Sequence, residues 1–319
     1  VKQGTTECKF YGLGSDGTVG ANKNTIKIIG NHTSKFCQGY FDYDSKKSGG
    51  YTCSHLRFGD SPIKAPYLVS TPDFVACHVP SYLKKYDVLS GIKPNGTFLL
   101  NSLWPVEETL ERIPDNVKAT IARKNITLYI INATQIAAEI GLGGRTNTIL
   151  QSAFFKITGI IPYEDAVKYM KQAIDKSYGK KGEQVVKMNY AAVDRGGEFV
   201  KVEIPESWKN IVSDKFVNPN ESRLASDFVK NIADICNAQE GNRIPVSAFA
   251  GDGVDGTIPS GTAAYEKRGV AVKVPSWMPD NCIQCNMCSY VCPHAAIRPF
   301  IMTADEAAKA PASVKKAAG

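Results

Sequence analysis

Glu7-Cys-Lys-Phe-Tyr11-Gly12-Leu-Gly14-Ser-Asp-Gly17-Thr-Val-Gly20 is the stretch that decides the fold. An aromatic, apolar run feeds three glycines spaced G-x-G-x-x-G, and a helical pattern over Thr18–Ile29 follows and ends at Gly30. Strand, bare turn and helix in that order open a layered α/β domain. They also form the context in which backbone N–H groups and a helix N-terminus meet a pyrophosphate. A dinucleotide site adds an acid about 20 residues on, at the tip of a second strand. Asp42 and Asp44 come late for that place. Glycines kept only for the turn would explain the loop as well.

Outward from this loop, short runs rich in aromatic and β-branched residues predict strands at Cys37–Tyr43, Tyr51–Phe58, Tyr67–Val69, Phe74–Cys77, Gly96–Leu100 and Ile126–Ile131. Helices are expected at Pro105–Arg112, Ala133–Ile140, Thr146–Ile157 and Pro162–Ser177. In the last, Ala166, Met170, Ala173, Ile174 and Tyr178 keep helical spacing behind an acidic first turn. The interleaving predicts an α/β class: a layered α/β/α main domain with a mixed sheet over residues 1–205. Residues 206–268 read as a small, loop-rich α+β connecting domain, helical only at Ser222–Ala238. Gly251–Gly256 resembles a calcium loop but lacks EF-hand spacing and its closing Glu, so tight turns are expected. Residues 269–319 hold a partial ferredoxin-like domain and an Ala/Lys/Pro-rich tail from Thr303 that reads as mobile.

Composition narrows the function classes. The 319 residues are 43% hydrophobic and 22% charged, as in ordinary globular proteins, and the net charge of +7 is too mild and diffuse for a nucleic-acid binder. It suits an anionic ligand or an acidic protein partner. No apolar stretch approaches the roughly 18 residues of a membrane span. Val1 to Thr6 are polar and offer no export signal, and the missing Met suggests a segment of a longer polypeptide. Asn-x-Ser/Thr triplets at Asn31, Asn95, Asn125, Asn132 and Asn220 are then chance matches. Cys8, Cys37, Cys53, Cys77 and Cys236 are scattered, as expected of buried small hydrophobes. His32, His55 and His78 read as structural.

The other four cysteines are different. Cys282-Ile-Gln-Cys285-Asn-Met-Cys288-Ser-Tyr-Val-Cys292-Pro293 fits C-x2-C-x2-C-x3-C-P, the ligand run of a 4Fe-4S ferredoxin. Tight x2 spacing turns successive thiolates, and several amides, toward one cluster. The fourth thiolate, turned by Pro293, points away and in two-cluster ferredoxins ligates the other cluster. Structural zinc sites instead use separated ligand pairs. No cysteine follows residue 292, so the partner run is missing and the cluster is expected to be incomplete in this chain.

Two further loops bear on the ligand of the glycine turn. Asp44-Ser-Lys46-Lys47-Ser48-Gly49-Gly50 offers two ammonium groups beside flexible backbone, and Gly141-Leu-Gly143-Gly144-Arg145-Thr146-Asn147 offers a guanidinium before a helix. Taken singly, Lys46-Lys47 would be a solvated turn. Three such loops together describe a site for a ligand with several phosphates. Coenzyme A, with its pyrophosphate and 3′-phosphate, satisfies that description at least as well as NAD.

Gly12-Leu-Gly-Ser-Asp-Gly-Thr-Val-Gly-Ala-Asn-Lys-Asn24, Tyr43-Asp-Ser-Lys-Lys-Ser-Gly-Gly50, Ser54-His-Leu-Arg-Phe-Gly59, Gly143-Gly-Arg-Thr-Asn147, Glu266-Lys-Arg-Gly-Val-Ala271, Val274-Pro-Ser-Trp277 and the cysteine run through Pro299 resemble the middle of pyruvate:ferredoxin (flavodoxin) oxidoreductase. The resemblance covers essentially the whole chain. It implies an enzyme that oxidatively decarboxylates pyruvate, or a related 2-oxoacid, to acetyl-CoA and passes electrons through 4Fe-4S clusters to ferredoxin or flavodoxin; exposed cluster chemistry without an export signal points to an anaerobic cytoplasm. Residues 1–205 would be the gamma-type coenzyme A domain, on which Ser15, Asp16, Gly17 and Thr18 line the site. Lys46, Lys47 and Ser48 would meet the phosphates, with Arg145 and Asn147 completing the pocket, and Cys282, Cys285, Cys288 and Cys292 would be cluster ligands. Thiamine diphosphate and magnesium would lie in domains absent here, so no catalytic acid, base or nucleophile is expected in this chain and it should not turn over alone. Implied partners are ferredoxin or flavodoxin, the remaining domains and further copies of the full-length chain. The alternative is an NAD(P)-dependent iron–sulfur reductase module; a third class is a zinc-stabilised interaction module.

Overall fold

β1 (Thr6–Leu13) lies inside a seven-stranded sheet of order β2-β3-β1-β4-β5-β6-β7. This computed structural model describes residues 1–44, 50–213, 215–216, 225–250, 255–265 and 274–310. From β1 the chain passes through α1 (Thr18–His32) to β2 (Phe36–Tyr43) at one edge and returns antiparallel as β3 (Tyr51–Gly59) beside β1. It then crosses to the other side, where β4 (Phe74–Cys77), β5 (Thr97–Asn101) and β6 (Thr127–Ile131) run parallel to β1. A two-residue β7 (Val200–Lys201) closes the far edge antiparallel to β6. The sheet is therefore mixed, as the sequence predicted.

Alternation along the strands makes two cores, one on each face. Cys8 and Phe10 of β1 pack with Leu56, Phe58, Phe74 and Leu99 under Ile28 and Ile29 of α1. The same layer holds α4 (Ala133–Glu139), α5 (Asn147–Thr158), α6 (Tyr163–Tyr178) and α7 (Glu183–Arg195). Tyr11 points the other way, into a core with Cys53, Val75, Cys77 and Phe98 that is covered by α2 (Val106–Arg112), α3 (Asp115–Arg123) and the turn at Pro80–Lys84. β3, enclosed on both faces, has all nine residues buried. Helices on both faces of one mixed sheet give the α/β/α class. Trp208, just past the expected domain end near Pro205, completes the second core and lies under Lys118 of α3.

One predicted strand does not form. Tyr67–Val69 runs as irregular backbone because buried side chains consume its polar groups. Arg57 Nη1 donates to Tyr67 O at 2.9 Å and Nη2 to Leu68 O at 3.0 Å, while the Val69 N–H donates to His55 Nδ1 at 3.2 Å. The Val69 N–H is thereby lost to any ladder, and both carbonyls are turned toward Arg57. Among the described residues of the sheet domain, α3, α7 and β7 went unforeseen. The expected Ser222–Ala238 helix is described from residue 225, as a π-helical turn at Val229–Ala233 continued by Asp234–Asn237. The tail read as mobile carries a helix at Ala304–Lys309, where Thr303 and Glu306 form a reciprocal capping box. Residues 251–254 of the calcium-like loop lie outside the described residues.

The chain divides into two compact units, Val1–Val270 and Ala271–Gly319. Among the described residues no helix is long and apolar enough to cross a membrane.

Candidate functional site

The glycine loop is shaped by its own carboxylate. Asp16 Oδ2 accepts from the Leu13 N–H at 2.8 Å and Oδ1 from the Thr18 N–H at 2.7 Å, so one side chain ties the strand end to the helix start. This replaces a side-chain N-cap, because the N-cap residue of α1 is Gly17. Gly17 sits at φ +89°, and a Cβ there would lie 2.9 Å from Asn147 Cγ. Gly12 is needed for proximity: its Cβ would come within 2.6 Å of Thr18 Oγ1. Ser15, exposed at the turn, holds a left-handed φ of 74°. The first-turn amides of α1 have no intrahelical acceptor, and with the helix dipole they favour an anion.

Topology puts this loop where open α/β sheets bind ligands. The chain leaves β1 toward β2 and β3 on one side and resumes with β4 on the other, so the carboxyl ends of β1 and β4 flank a switch point. There Thr18 Oγ1 and His78 Nδ1 are 2.8 Å apart. Burial pushes the His78 imidazole below its usual range, against the upward pull of the Asp16 charge, so it is neutral at pH 7. Its backbone is fixed from both sides, by His78 N donating to Tyr11 O at 2.9 Å and Asn101 Nδ2 donating to His78 O at 3.1 Å. Asn101 Oδ1 in turn accepts from the Ala133 N–H at 3.0 Å. His78 thus stands at the site although its sequence gave only a structural reading.

The structure brings Ser15, Asp16, Gly17 and Thr18 together with Asn147, the first residue of α5. Arg145 lies exposed two residues earlier, after Gly141 and Gly143 in left-handed turns. Lys46, Lys47 and Ser48 lie outside the described residues. The ends of their loop converge on the same place: Gly14 N donates to Gly50 O at 2.7 Å, and Asp44 N donates to Tyr51 O at 2.9 Å. Sequence reasoning missed His78 and Asn101. A polar residue at the end of β5 and one just past β4 were the signal.

Of the scattered cysteines, Cys8, Cys53 and Cys77 are buried and burial raises their thiols, Cys53 to about 11 and Cys77 to about 12. They are inert at neutral pH. Cys37 is half-buried, and Cys236 is exposed rather than buried as expected.

In the cysteine run, Gln284 and Asn286 take left-handed φ of 58° and 60° on either side of Cys285, and a helical turn follows at Met287–Tyr290. Such turns aim successive amides inward, as iron–sulfur and anion sites require. Cys292 Sγ accepts the Ala296 N–H at 3.3 Å, and amides led by that of Ala296 lower its thiol. Four thiols on a backbone of this kind fit a cluster by donor chemistry. Among the described residues, however, no three Cys, His, Asp or Glu side chains converge closely enough to hold a metal ion.

A family model for pyruvate ferredoxin/flavodoxin oxidoreductase matches residues 7–199, well over half of the chain. The chain belongs to that family. Further along the chain a domain of unknown function matches residues 215–271 and a 4Fe-4S binding domain residues 274–297. The pyruvate-flavodoxin oxidoreductase of Enterobacter agglomerans is 55% identical over 99% of this chain and 27% of its own length. The pyruvate:ferredoxin oxidoreductase of Moorella thermoacetica is 54% identical over 97% and 26%. The chain thus spans about a quarter of the length of these curated relatives. The crystal structure of the pyruvate oxidoreductase subunit PORC from Thermotoga maritima has the same fold, with a TM-score of 0.51 at 21% identity, over 63% of this chain and 100% of that one. The nicotinamide reading is not favoured, and the sheet gives a reason. β3 stands between β1 and β2, which moves Asp42 and Asp44 one strand beyond where a ribose-binding acid belongs.

Proposed function

We propose that this chain presents coenzyme A and carries part of the electron path in a 2-oxoacid oxidoreductase that converts pyruvate to acetyl-CoA. The observation that carries the reading is the loop at the β1/β4 switch point, where Asp16 spans the Leu13 and Thr18 amides and Gly17 packs against Asn147. In this reading the first turn of α1 receives one phosphate, while Lys46, Lys47 and Arg145 supply cations and Ser48 a hydroxyl suited to the others. In this reading residues 1–205 bind coenzyme A, 206–268 connect, and 269–319 belong to the ferredoxin-type domain. Cys282, Cys285 and Cys288 hold one 4Fe-4S cluster, and Cys292 serves a second whose other ligands lie elsewhere.

Thiamine diphosphate with magnesium would supply the carbanion chemistry in the other domains. The residues here bind and orient the acyl acceptor. Electrons leave to ferredoxin or flavodoxin, and the full-length chain associates with further copies of itself. Four thiols set for cluster binding suit the reducing cytoplasm. Neither a nucleic acid nor a membrane is a partner in this reading.

Calorimetric titration of the full chain is the test. Coenzyme A binds and NADH does not, and Gly17→Ala, which adds a methyl group against Asn147 at a positive φ, abolishes the heat. Binding of NADH with none of coenzyme A would overturn the proposal.

A further inference from the structure

Strand register places an exposed aromatic ring in line with the glycine loop. Tyr43, the last residue of β2, pairs with Thr52 of β3, and Thr52 pairs with Gly12 of β1. The three form one row across the sheet, two inter-strand spacings or about 10 Å from end to end. Paired residues share a face. On β3 that face carries Leu56 and Phe58, and on β1 Cys8 and Phe10, all in the core beneath α1. Tyr43 therefore stands on the α1 side, level with the phosphate loop.

The ring is 57% exposed, whereas Phe41, two residues earlier on the same face, packs against the core. Burial does not explain a tyrosine there. Lys23 of α1 is exposed and holds its Nζ 5.2 Å from the ring centroid of Phe41, two residues before Tyr43 on β2. Between ring and loop, Thr52 is 4% exposed and its Oγ1 has no hydrogen-bond partner. A buried hydroxyl left without a partner is uncommon, and it lies in the row that joins Tyr43 to Gly12.

We propose that Tyr43 is the platform on which the adenine ring of coenzyme A stacks while the pyrophosphate occupies the Gly12–Thr18 loop. The inference rests on the coenzyme A reading of that loop. An adenosine holds its base one ribose away from its phosphates, a span of the same order as the row. A tyrosine face accepts a base through its π-surface and needs no hydrogen-bond pattern, so this contact selects a nucleotide-bearing thiol over a shorter one.

Calorimetry on the full chain, with coenzyme A and with 4′-phosphopantetheine, which lacks the adenosine, reads this contact. Tyr43→Ala weakens coenzyme A about tenfold or more, leaves 4′-phosphopantetheine unchanged and leaves the thermal midpoint unchanged. Tyr43→Phe stays within about twofold of the unaltered chain because stacking needs no hydroxyl. Undiminished coenzyme A affinity in Tyr43→Ala overturns the adenine platform while leaving the coenzyme A reading intact. Equal loss for both ligands also overturns it, because the ring would then be supporting the loop. If coenzyme A fails to bind the unaltered chain, the site reading itself fails and this inference falls with it.

Discussion

Asp16 satisfies two backbone amides at once, those of Leu13 and Thr18, at the point where β1 becomes α1. Asp16→Ala leaves both without an acceptor. The loss of such a cap costs roughly 1–2 kcal/mol, read as a lower urea midpoint, and coenzyme A binding weakens with it. His55 gives a second expectation. It is buried between Lys9 and Arg57, and burial first, then those two cations, pull its imidazole down to about 4. The folded state then refuses a proton that the unfolded chain accepts below pH 6.5. The resulting stability is fully present above 6.5 and lost as pH falls toward 4, by about 3 kcal/mol. In His55→Asn, unfolding free energies measured across that window should lose this slope. Asp16 and Gly17 were legible in the sequence because their work is local, within a few residues of one turn. His78 was not, since its meeting with Thr18 needs β4 beside β1, sixty residues away.

Between elements, Arg57 is the residue that turned an expected strand into a strap. Its side chain is 2% exposed and its Nε donates to Glu7 Oε1 at 2.9 Å, while its other nitrogens hold Gln38 and the carbonyls of Tyr67 and Leu68. Glu7 also accepts from Thr71 Oγ1 and stands 3.9 Å from Lys93 Nζ. Arg57→Met takes the nearest cation from the buried Glu7 charge, leaving Thr71 and the more distant Lys93, and should cost about 3 kcal/mol, with part regained in the Glu7→Gln/Arg57→Met pair. Trypsin cleavage after the exposed Lys64 would rise in the single variant as the strap loosens, and urea titration gives the energy. Single-sequence pattern revealed the other strands because each is a short apolar run closed by turn residues. The Tyr67–Val69 run has the same composition, but its polar groups go to side chains of β3. α7 escaped notice for a related reason. Its buried face includes Asn189, whose Nδ2 donates to Val185 O, beside the small Ala192, so no strong apolar stripe marks it. α3 is only nine residues long and buries Val117, Ala119 and Ile121, too short a run to declare a period.

At the scale of the molecule the two units differ in how they are held. Residues of the first lie in two cores on either side of one sheet. The second leaves Ile283 84%, Tyr290 86% and Ile301 103% exposed, and its described helices are four and six residues long. A segment that buries so little apolar surface gains its order from what it binds. Cluster assembly is such a source, because metal–thiolate bonding and folding are one equilibrium in small metal domains. Anaerobic incubation with ferrous iron and sulfide should therefore load iron and labile sulfide and slow proteolysis within residues 274–310, with the first unit unchanged. The assigned roles make the variants unequal. Cys285→Ala, between the two left-handed turns, should lose both iron and protection. Cys292→Ala should keep them, because in the proposed assignment that thiolate serves another cluster, and Cys236→Ala, whose thiol is exposed in the first unit, should behave like the unaltered chain. Equal iron loss in Cys285→Ala and Cys292→Ala would mean that all four thiols share one cluster here, and zinc in place of iron would remove the electron path from this chain altogether.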